Sequence, residues 1–336
     1  MKSLLLFSSL LMLSTVSVQA QDDFSIGMVT DVGGIDDKSF NQGAWEGMQR
    51  WGEEHSKEQG LNGFSYFQTN TEADYITNLN LAAQNNIDII FAIGYKLQPA
   101  VQETAEQYPD QYFGMVDSVV DLPNVASLNF ADEEAAFLAG VAAATTTQTN
   151  KVGFVGGVEG VVIDKFEAGF VAGVQAVDDS IDIEIQYAGS FTDPSIGRTI
   201  AATMYSNDID VIFHASGPTG NGVFSEAKDL VSIEPDRDLW VIGVDLDQSA
   251  EGEVDIDGET RNINLTSTLK NTGNAIHSFS NTMMEEGFEP GIQWFNLAND
   301  GVGIAEGRLT DESLEVIEDY KQQIIDGDIE VPDAPE

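Results

Sequence analysis

Short apolar runs alternate with helix-like amphipathic segments along most of this chain of 336 residues. The runs are rich in Val, Ile and Phe and form two series, at 24–30, 64–68, 87–93, 112–116 and 125–130, and then at 152–155, 183–187, 211–213 and 240–244. Near-continuous apolar strands separated by helices are typical of parallel sheets covered on both faces. The pattern therefore predicts an α/β protein with two doubly wound lobes.

The pattern becomes less regular after about residue 260. Strand-like runs at 263–268, 292–297 and 302–305 surround a helix-like segment at 269–286, and a last helix is expected near 312–325. We expect this tail to cross back to the first lobe. The predicted division is a signal peptide at 1–20, an N-terminal lobe of 21–131 plus about 268–300, and a C-terminal lobe of 132–267 plus about 301–336.

Three aspartates, Asp31, Asp117 and Asp245, lie at the ends of predicted strands. Ligands of open α/β sheets bind beyond the carboxyl ends of strands, so two facing lobes would bring these carboxylates to one cleft. Asp is also a good helix cap, which is the structural alternative for each of them alone. Their coincidence at the expected cleft favours a binding role.

The turn that follows the first strand, DVGGIDDKSFN at 31–41, places an aromatic ring among glycines, carboxylates and an amide. Phe40 can belong to the core, but in such a polar turn its ring needs a flat partner. Trp45 and Met48, three residues apart on the following segment, are interpreted as core residues. The turn is therefore a candidate ligand platform.

Motifs of enzymatic chemistry are absent from the sequence. The turn VGGIDD has neither P-loop nor dinucleotide-loop spacing, and GPTGNG at 217–222 lacks the lysine of a nucleotide loop. Neither H-E-x-x-H nor G-x-S-x-G occurs. DIDGE at 255–259 is a fragment of a calcium loop and is interpreted as an acidic turn. We therefore predict no catalytic residues, no cofactor and no metal.

The charge of the chain is unusual, whereas its 42% hydrophobic and 9% aromatic content is that of a globular protein. Fifty-seven acidic residues against fourteen basic ones give a net charge of −43, dispersed along the whole length. Dispersed acidic residues favour adaptation to high salt over a polyanion mimic or a cation buffer, which would have clustered acidic runs. The absence of a basic patch argues against nucleic-acid binding.

The N-terminus predicts export. Lys2, the apolar stretch 4–16 and the small-x-small sequence at 18–20 form a signal-peptide pattern, and the apolar stretch is too short to span a membrane. The chain contains no cysteine, which excludes disulfides, thiolate metal sites and a lipid-anchored cysteine. We expect a protein free in a periplasm or outside the cell.

Seven motifs follow one another in the order found in the basic membrane protein family, which the chain resembles over residues 24–325. They are DVGGIDDKSFNQGAWEGM, FAIGY, DKFEAGFVAGV, GSFTDP, HASGPTGNGVFSEAK, GVDLDQ and TSTLKNTGNAI. The resemblance implies a periplasmic-binding-protein type I fold, with two lobes joined by three crossovers. It also implies a substrate-binding protein of an ABC transporter, with a purine nucleoside held between the lobes.

The resemblance assigns roles to particular residues of this chain. Phe40 would stack on one face of the base, and Phe191, or with less support Phe166, on the other. Asp31, Asn41 and Asp117 are candidates for the base edge and nearby polar contacts. The remaining assignments are Asp245 and Lys270 for the ribose hydroxyls and Gly217 for close backbone approach.

The sequence departs from the family pattern in two places. Members are typically lipoproteins, and this chain has no cysteine after its predicted signal peptide. The acidic segment 248–259 is expected to be a loop shaped by salt adaptation that does not touch the proposed site.

The expected partners are a nucleoside and a membrane permease, and the protein is expected to be a monomer. A nucleoside or small-molecule sensor on the same fold is an alternative that the sequence leaves open. An exported nucleoside hydrolase is a weaker one, because DVGGIDD lacks the calcium-binding aspartate arrangement of such enzymes.

Overall fold

The computed structural model describes residues 24–335, so the predicted signal peptide at 1–20 lies outside the described residues. The first sheet is parallel throughout. Its strands are β1 (Ile26–Val29), β2 (Phe64–Phe67), β3 (Ile89–Ile93), β4 (Tyr112–Val116), β5 (Val125–Phe130) and β13 (Gly291–Phe295). They lie in the order β13-β5-β4-β3-β1-β2.

The second sheet has the same arrangement except for one antiparallel edge strand. Its strands are β6 (Lys151–Gly156), β7 (Asp182–Tyr187), β8 (Val211–Ala215), β9 (Trp240–Gly243), β12 (Asn264–Lys270) and β14 (Val302–Ile304). They lie in the order β14-β12-β9-β8-β6-β7, with β14 antiparallel to β12.

Helices cover both sheets. They are α1 (Phe40–Glu54), α2 (Tyr75–Gln84), α3 (Gln98–Gln107), α4 (Asp132–Thr146), α5 (Val161–Val177), α6 (Pro194–Ser206), α7 (Gly220–Ile233), α8 (Thr272–Glu286) and α9 (Asp311–Ile325). Helix α1 packs on α8 and α2 on α3, whereas α4 packs on α5 and α9, and α6 on α7. Within residues 24–335, no helix combines the length and apolar character needed to span a bilayer.

Burial on both faces explains the apolar runs of the sequence. Every residue of β3 and of β8 is buried, as expected for central strands with helices on either side. Helices α1 and α8 approach so closely that a Cβ on Gly47 would collide with the backbone of Gly273. The apolar strands and these small contact residues together fix the layers of each lobe.

The chain crosses between the sheets three times, and all three connections lie at one edge of the molecule. They run from β5 to α4, from β12 to α8 and from β13 to β14. Strands β5, β13, β12 and β14 lie together at that edge, and β2 and β7 form the opposite edges. The α/β fold with two doubly wound lobes and three crossovers is therefore confirmed, whereas the residue limits given for each lobe stay predictions.

The structure corrects the predicted helix at 269–286. Strand β12 continues to Lys270, and α8 begins only at Thr272. The strand is extended because Thr268, Leu269 and Lys270 pair with β14, a long-range contact that local periodicity does not contain. Lys270 therefore sits at the end of a strand, beside one of the crossovers.

The acidic segment 248–259 is also not the loop that was expected. A short helical turn (Ser249–Gly252) leads into β10 (Glu253–Ile256), which pairs with β11 (Glu259–Asn262) as an antiparallel hairpin. Asp257 and Gly258 both have positive φ, as the two central residues of a tight hairpin turn require. The Asp-Gly pair, interpreted above as an acidic turn, makes this hairpin.

Candidate ligand-binding site

A cavity lies between the lobes, beyond the carboxyl ends of the strands. Its empty volume is about 660 Å³ including the space open to solvent, within the usual range for small-molecule sites. The predicted site residues that line it are Asp31, Phe40, Asp117, Phe191, Gly217, Asp245 and Lys270. The topology brings these seven together from strand ends, loops and the start of a helix on both lobes.

Asp31 leaves the end of β1 with one carboxylate oxygen already committed. Its Oδ1 accepts hydrogen bonds from the Gly33 amide and from Asn41 Nδ2, both at 2.7 Å. No hydrogen bond engages Oδ2 from the described residues. Burial raises the pKa of Asp31 to about 6, against the lowering effect of the Gly33 hydrogen bond. One oxygen of a poised carboxylate is thus available to a ligand.

Asn41, the eighth predicted residue, does not line the cavity. Its side-chain oxygen accepts the Asp31 amide at 3.1 Å, and its Nδ2 donates to Asp31 at 2.7 Å and to Asp37 at 2.8 Å. The residue is 1% exposed, and both donors and the acceptor of its side-chain amide are occupied. Asn41 therefore orients Asp31 from behind the cavity wall, and its expected place at the base edge or among the nearby polar contacts stays a prediction.

Asp37 is a cavity residue that the sequence analysis did not select. Its carboxylate accepts the backbone amides of Ser39, Asn41 and Gln42 at 2.9–3.0 Å and so caps the start of α1. Burial raises its pKa, although these hydrogen bonds oppose the shift. The cap fixes the direction in which α1 leaves the turn, and with it the position of Phe40.

Lys270 is the central cation of the site. Its Nζ lies 2.7 Å from Asp117 Oδ2 and 3.0 Å from Asp132 Oδ2, and all three side chains are 5% exposed or less. Burial lowers the pKa of Lys270, but Asp117, Asp132 and Asp245 outweigh this and raise it. The group is therefore an ammonium held in place by carboxylates.

Asp132 was missed, since it lies at the start of α4 and reads as an ordinary helix-start acid. It is buried, and its pKa is raised by burial while Lys270 lowers it. The carboxylate faces an ammonium from a strand 138 residues further along the chain, a proximity that no local motif reveals. Asp132 does not line the cavity and acts through Lys270.

Asp117 and Asp245 occupy matching positions in the two lobes. Each follows a central strand, and each has a φ of 67°, in the left-handed region that Asp tolerates better than most residues. Ser39 Oγ donates to Asp245 Oδ2, which again leaves one oxygen without a partner among the described residues. Burial raises the pKa of Asp245 to about 6, against the effect of Lys270.

Three phenylalanine rings face the cavity. Phe40 and Phe166 both flank the Lys270 ammonium, with Nζ 5.1 and 5.9 Å from the ring centroids. Phe191 comes from the loop after β7 and lies 5.6 Å from Lys96 Nζ. Phe166 is only 4% exposed and belongs to the core, whereas Phe40 and Phe191 are partly exposed.

Tyr95 and Lys96 also line the cavity and were not assigned, although FAIGY at 91–95 was recognised as a motif. Gly94 turns the chain into them with a φ of 113°. Lys96 is paired with Glu72 at 2.6 Å. The Tyr95 hydroxyl is buried without a hydrogen-bond partner in the described part of the chain, and burial raises its pKa to about 12.

Metal-binding geometry does not occur within residues 24–335, where no group of three or more His, Asp or Glu side chains could hold an ion. His214, near the cavity, is fully buried, and burial lowers its pKa to about 4, so that it is neutral at physiological pH. It contacts Gln248 at 3.0 Å.

Known proteins resemble this chain in sequence, and solved structures resemble it in fold. A family model for PnrA-like ABC transporter substrate-binding proteins matches residues 24–335. The CD4+ T-cell-stimulating antigen of Listeria monocytogenes is 48% identical over 322 residues, which cover 94% of this chain and 90% of that protein. The ABC transporter nucleoside-binding protein BmpA of Lactococcus lactis is 45% identical over 323 residues, covering 95% and 92%.

A crystal structure of an ABC transporter solute-binding protein from Aeropyrum pernix has the same fold. Its TM-score is 0.80 at 24% sequence identity, with 93% of this chain and 94% of that chain covered. The fold and the interlobe cavity define a type I substrate-binding protein. The chain belongs, more narrowly, to the Bmp family of PnrA-like ABC transporter substrate-binding proteins, which confirms the resemblance to basic membrane proteins.

Proposed function

We propose that this chain binds a purine nucleoside in the interlobe cavity and delivers it to the permease of an ABC transporter. The observation that carries the proposal is the combination of partly exposed aromatic rings from both lobes with an ammonium–carboxylate cluster in one cavity. A flat base calls for the rings, and a ribose calls for the charged groups. The Lactococcus lactis relative is a nucleoside-binding protein, which supports the same class of ligand.

The ribose would be held by Asp245 and Lys270. An ammonium has three N–H donors, and Lys270 directs two of them to Asp117 and Asp132. The third donor and the unpaired oxygen of Asp245 suit vicinal hydroxyls, which both donate and accept. A sugar held in this way makes charge-assisted hydrogen bonds, which are among the strongest that a neutral ligand can form.

The base would lie between Phe40 and Phe191 with its edge towards Asp31. The free oxygen of Asp31 would accept an N–H of the base, because the other oxygen is saturated by Gly33 and Asn41. Purines offer a larger stacking face than pyrimidines and therefore gain more from two rings. The unpartnered Tyr95 hydroxyl is a further donor at the cavity wall.

Transport also requires export, and this part of the proposal rests on the signal-peptide pattern at 1–20 and on the family. We propose a monomer that works outside the cytoplasmic membrane. A membrane sensor that takes the same ligand is the second candidate. The genes adjacent to the coding sequence distinguish the two, since a transporter needs an ATPase and a permease.

Calorimetric titration in high salt with adenosine, guanosine, inosine, uridine and ribose tests the ligand class. Purine nucleosides are expected to bind most tightly. Saturation by ribose alone or by an amino acid, with no heat from nucleosides, would refute the proposal. Chromatography of the incubated nucleoside is the matched test for the hydrolase alternative, because release of free base would favour an enzyme.

A further inference from the structure

Two side-chain hydrogen bonds join the lobes across the cleft, one outside the ligand cavity and one at its edge. Gln248, after β9 in the second lobe, donates from Nε2 to the backbone carbonyl of Lys38 in the first lobe at 2.9 Å. Ser39 donates to Asp245 beside it. The turn that presents Phe40 is thus joined directly to the loop that presents Asp245.

The amide of Gln248 is held in one orientation. Its Oε1 accepts the Val244 amide at 2.9 Å and lies 3.0 Å from His214 Nε2, while its own backbone N–H donates to Ser267 at 3.1 Å. The residue is 2% exposed, and it does not line the cavity. The oxygen therefore faces its own lobe and the nitrogen faces the other lobe.

The Lys38 carbonyl is presented by an uncommon backbone conformation. Lys38 has a φ of 65°, which non-glycine residues adopt rarely and at a cost. Leu246 packs next to this contact against Gly43 of α1, where a Cβ would lie 3.1 Å from Leu246 Cδ2. The two loops are therefore fitted to each other over several residues.

We propose that Gln248 is a positioning residue that latches the two lobes around the bound ligand. The inference rests on the proposed function, because it assigns a role to a residue behind that site. Proteins of this architecture close by hinge motion between lobes, and the Gln248–Lys38 hydrogen bond spans the moving interface. It holds Asp245 and Phe40 in register in the closed form while making no contact with the ligand itself.

Gln248→Met tests the latch, since methionine keeps the length of the side chain and lacks the donor to Lys38. It also removes the acceptor for Val244 and His214 within the second lobe, and the melting temperature of the variant reports that part of the loss. Guanosine dissociation, followed by stopped-flow chase, is expected to become about 3- to 10-fold faster, the equivalent of one ordinary hydrogen bond. The association rate is expected to change less than about twofold, because the ligand is captured by the open form.

Gln111→Met is the matched control. Gln111 also donates from Nε2 to a backbone carbonyl, that of Ile87 at 2.7 Å, but this bond lies within the first lobe. The control is expected to leave guanosine dissociation unchanged. Circular dichroism melting of both variants reports any cost to the fold alone.

A distance measurement separates a latch from a local structural role. The chain has no cysteine, so spin labels can be placed at Ala73→Cys and Thr192→Cys, two exposed positions in the loops after β2 and β7. These loops lie at the edges farthest from the crossovers, where hinge motion is largest. Gln248→Met is expected to reduce the short-distance population at subsaturating guanosine, and Gln111→Met is expected to preserve it.

The outcomes separate the latch from the ligand assignment. Weaker binding with an unchanged short-distance population would overturn the latch, as would a wild-type protein that never shows the short distance. If guanosine fails to bind but Gln248→Met still lowers the short-distance population of the ligand-free protein, the nucleoside is rejected and the latch is supported.

Discussion

The Lys270 ammonium lies 2.7 Å from Asp117 Oδ2, and this ion pair joins the end of β12 in the second sheet to the end of β4 in the first. Lys270 keeps a second carboxylate, Asp132, from the start of α4, which packs against β12. Its charge therefore has one counter-ion on its own side of the cleft and one on the other. This arrangement places a fixed ammonium at the ligand cavity in a chain that is otherwise strongly acidic.

Phe40→Ala is expected to weaken nucleoside binding by about one to two decades. Stacking of an aromatic ring on a base contributes roughly 1–3 kcal/mol as judged by alanine substitution. The preference for ribosides over deoxyribosides is expected to remain, because the sugar contacts are untouched. Calorimetry with adenosine and 2′-deoxyadenosine measures both quantities. An unchanged affinity would show that the Phe40 ring does not contact the ligand.

Phe191 and Phe166 are expected to differ when each is replaced by alanine. Phe191 is partly exposed at the cavity, so its loss is expected to weaken binding with little effect on melting. Phe166 is 4% exposed and contacts the Phe213 ring at 6.3 Å, so its loss is expected to cost about 3–5 kcal/mol of folding free energy. Thermal melting and calorimetry of the two variants would contradict this assignment if their effects were reversed.

Binding is expected to weaken as the pH falls through about 6. Burial raises the pKa of both Asp31 and Asp245 to about 6, and the proposed contacts require ionised carboxylates. Each carboxylate that must be ionised lowers the affinity by about tenfold per pH unit below its pKa. Titrations at pH 5, 6, 7 and 8 measure this dependence, and a flat profile would show that neither carboxylate contacts the ligand.

The same pKa shifts give the stability of the ligand-free protein the opposite pH dependence, since stability falls as the pH rises whereas binding strengthens. A carboxyl whose folded pKa is raised binds more protons when folded than when unfolded between about pH 4 and 6, so its contribution to stability falls as the pH rises through that window. Asp31→Asn, which keeps an oxygen for Gly33 and Asn41, is therefore expected to raise the melting temperature at pH 8. This gain is expected to disappear near pH 4, where the native carboxyl is protonated.

Stability is expected to rise with NaCl over the molar range. The net charge of −43 produces self-repulsion, and the screening length shortens from about 10 Å at 0.1 M salt to about 3 Å at 1 M. Melting temperature followed from low to high salt measures the effect. A constant melting temperature would contradict adaptation to salt.

The sequence predicted the parts of the fold that depend on local pattern. Strands β4 and β5 have the predicted limits, because continuous apolar runs reflect burial on both faces of a parallel sheet. The start of α8 was placed too early, since β12 is extended by pairing with β14, more than 30 residues away in the chain. Edge pairing of this kind leaves no local periodicity.

The candidate site likewise contains residues that the local sequence marks and residues that only tertiary packing brings to it. Asp31 and Asp245 were recognised because strand ends and motifs mark them. Asp132 was not, because it becomes a partner of Lys270 only through the packing of two distant segments. Asn41 lies in the correct motif but behind the cavity, since a side chain in a turn can face either way and only the hydrogen bonds decide.

Asp245→Ala offers the most direct test of the proposed binding mode. The variant loses the oxygen proposed to accept the sugar hydroxyls, and Lys270 loses one of the carboxylates that raise its pKa. Charge-assisted hydrogen bonds contribute about 1.5–3 kcal/mol each. Calorimetry with adenosine and 2′-deoxyadenosine, alongside circular dichroism, is predicted to show a folded protein that binds adenosine about 10- to 100-fold more weakly and no longer distinguishes it from the deoxynucleoside. A folded variant that binds adenosine as tightly as the wild type and keeps this discrimination would contradict the account.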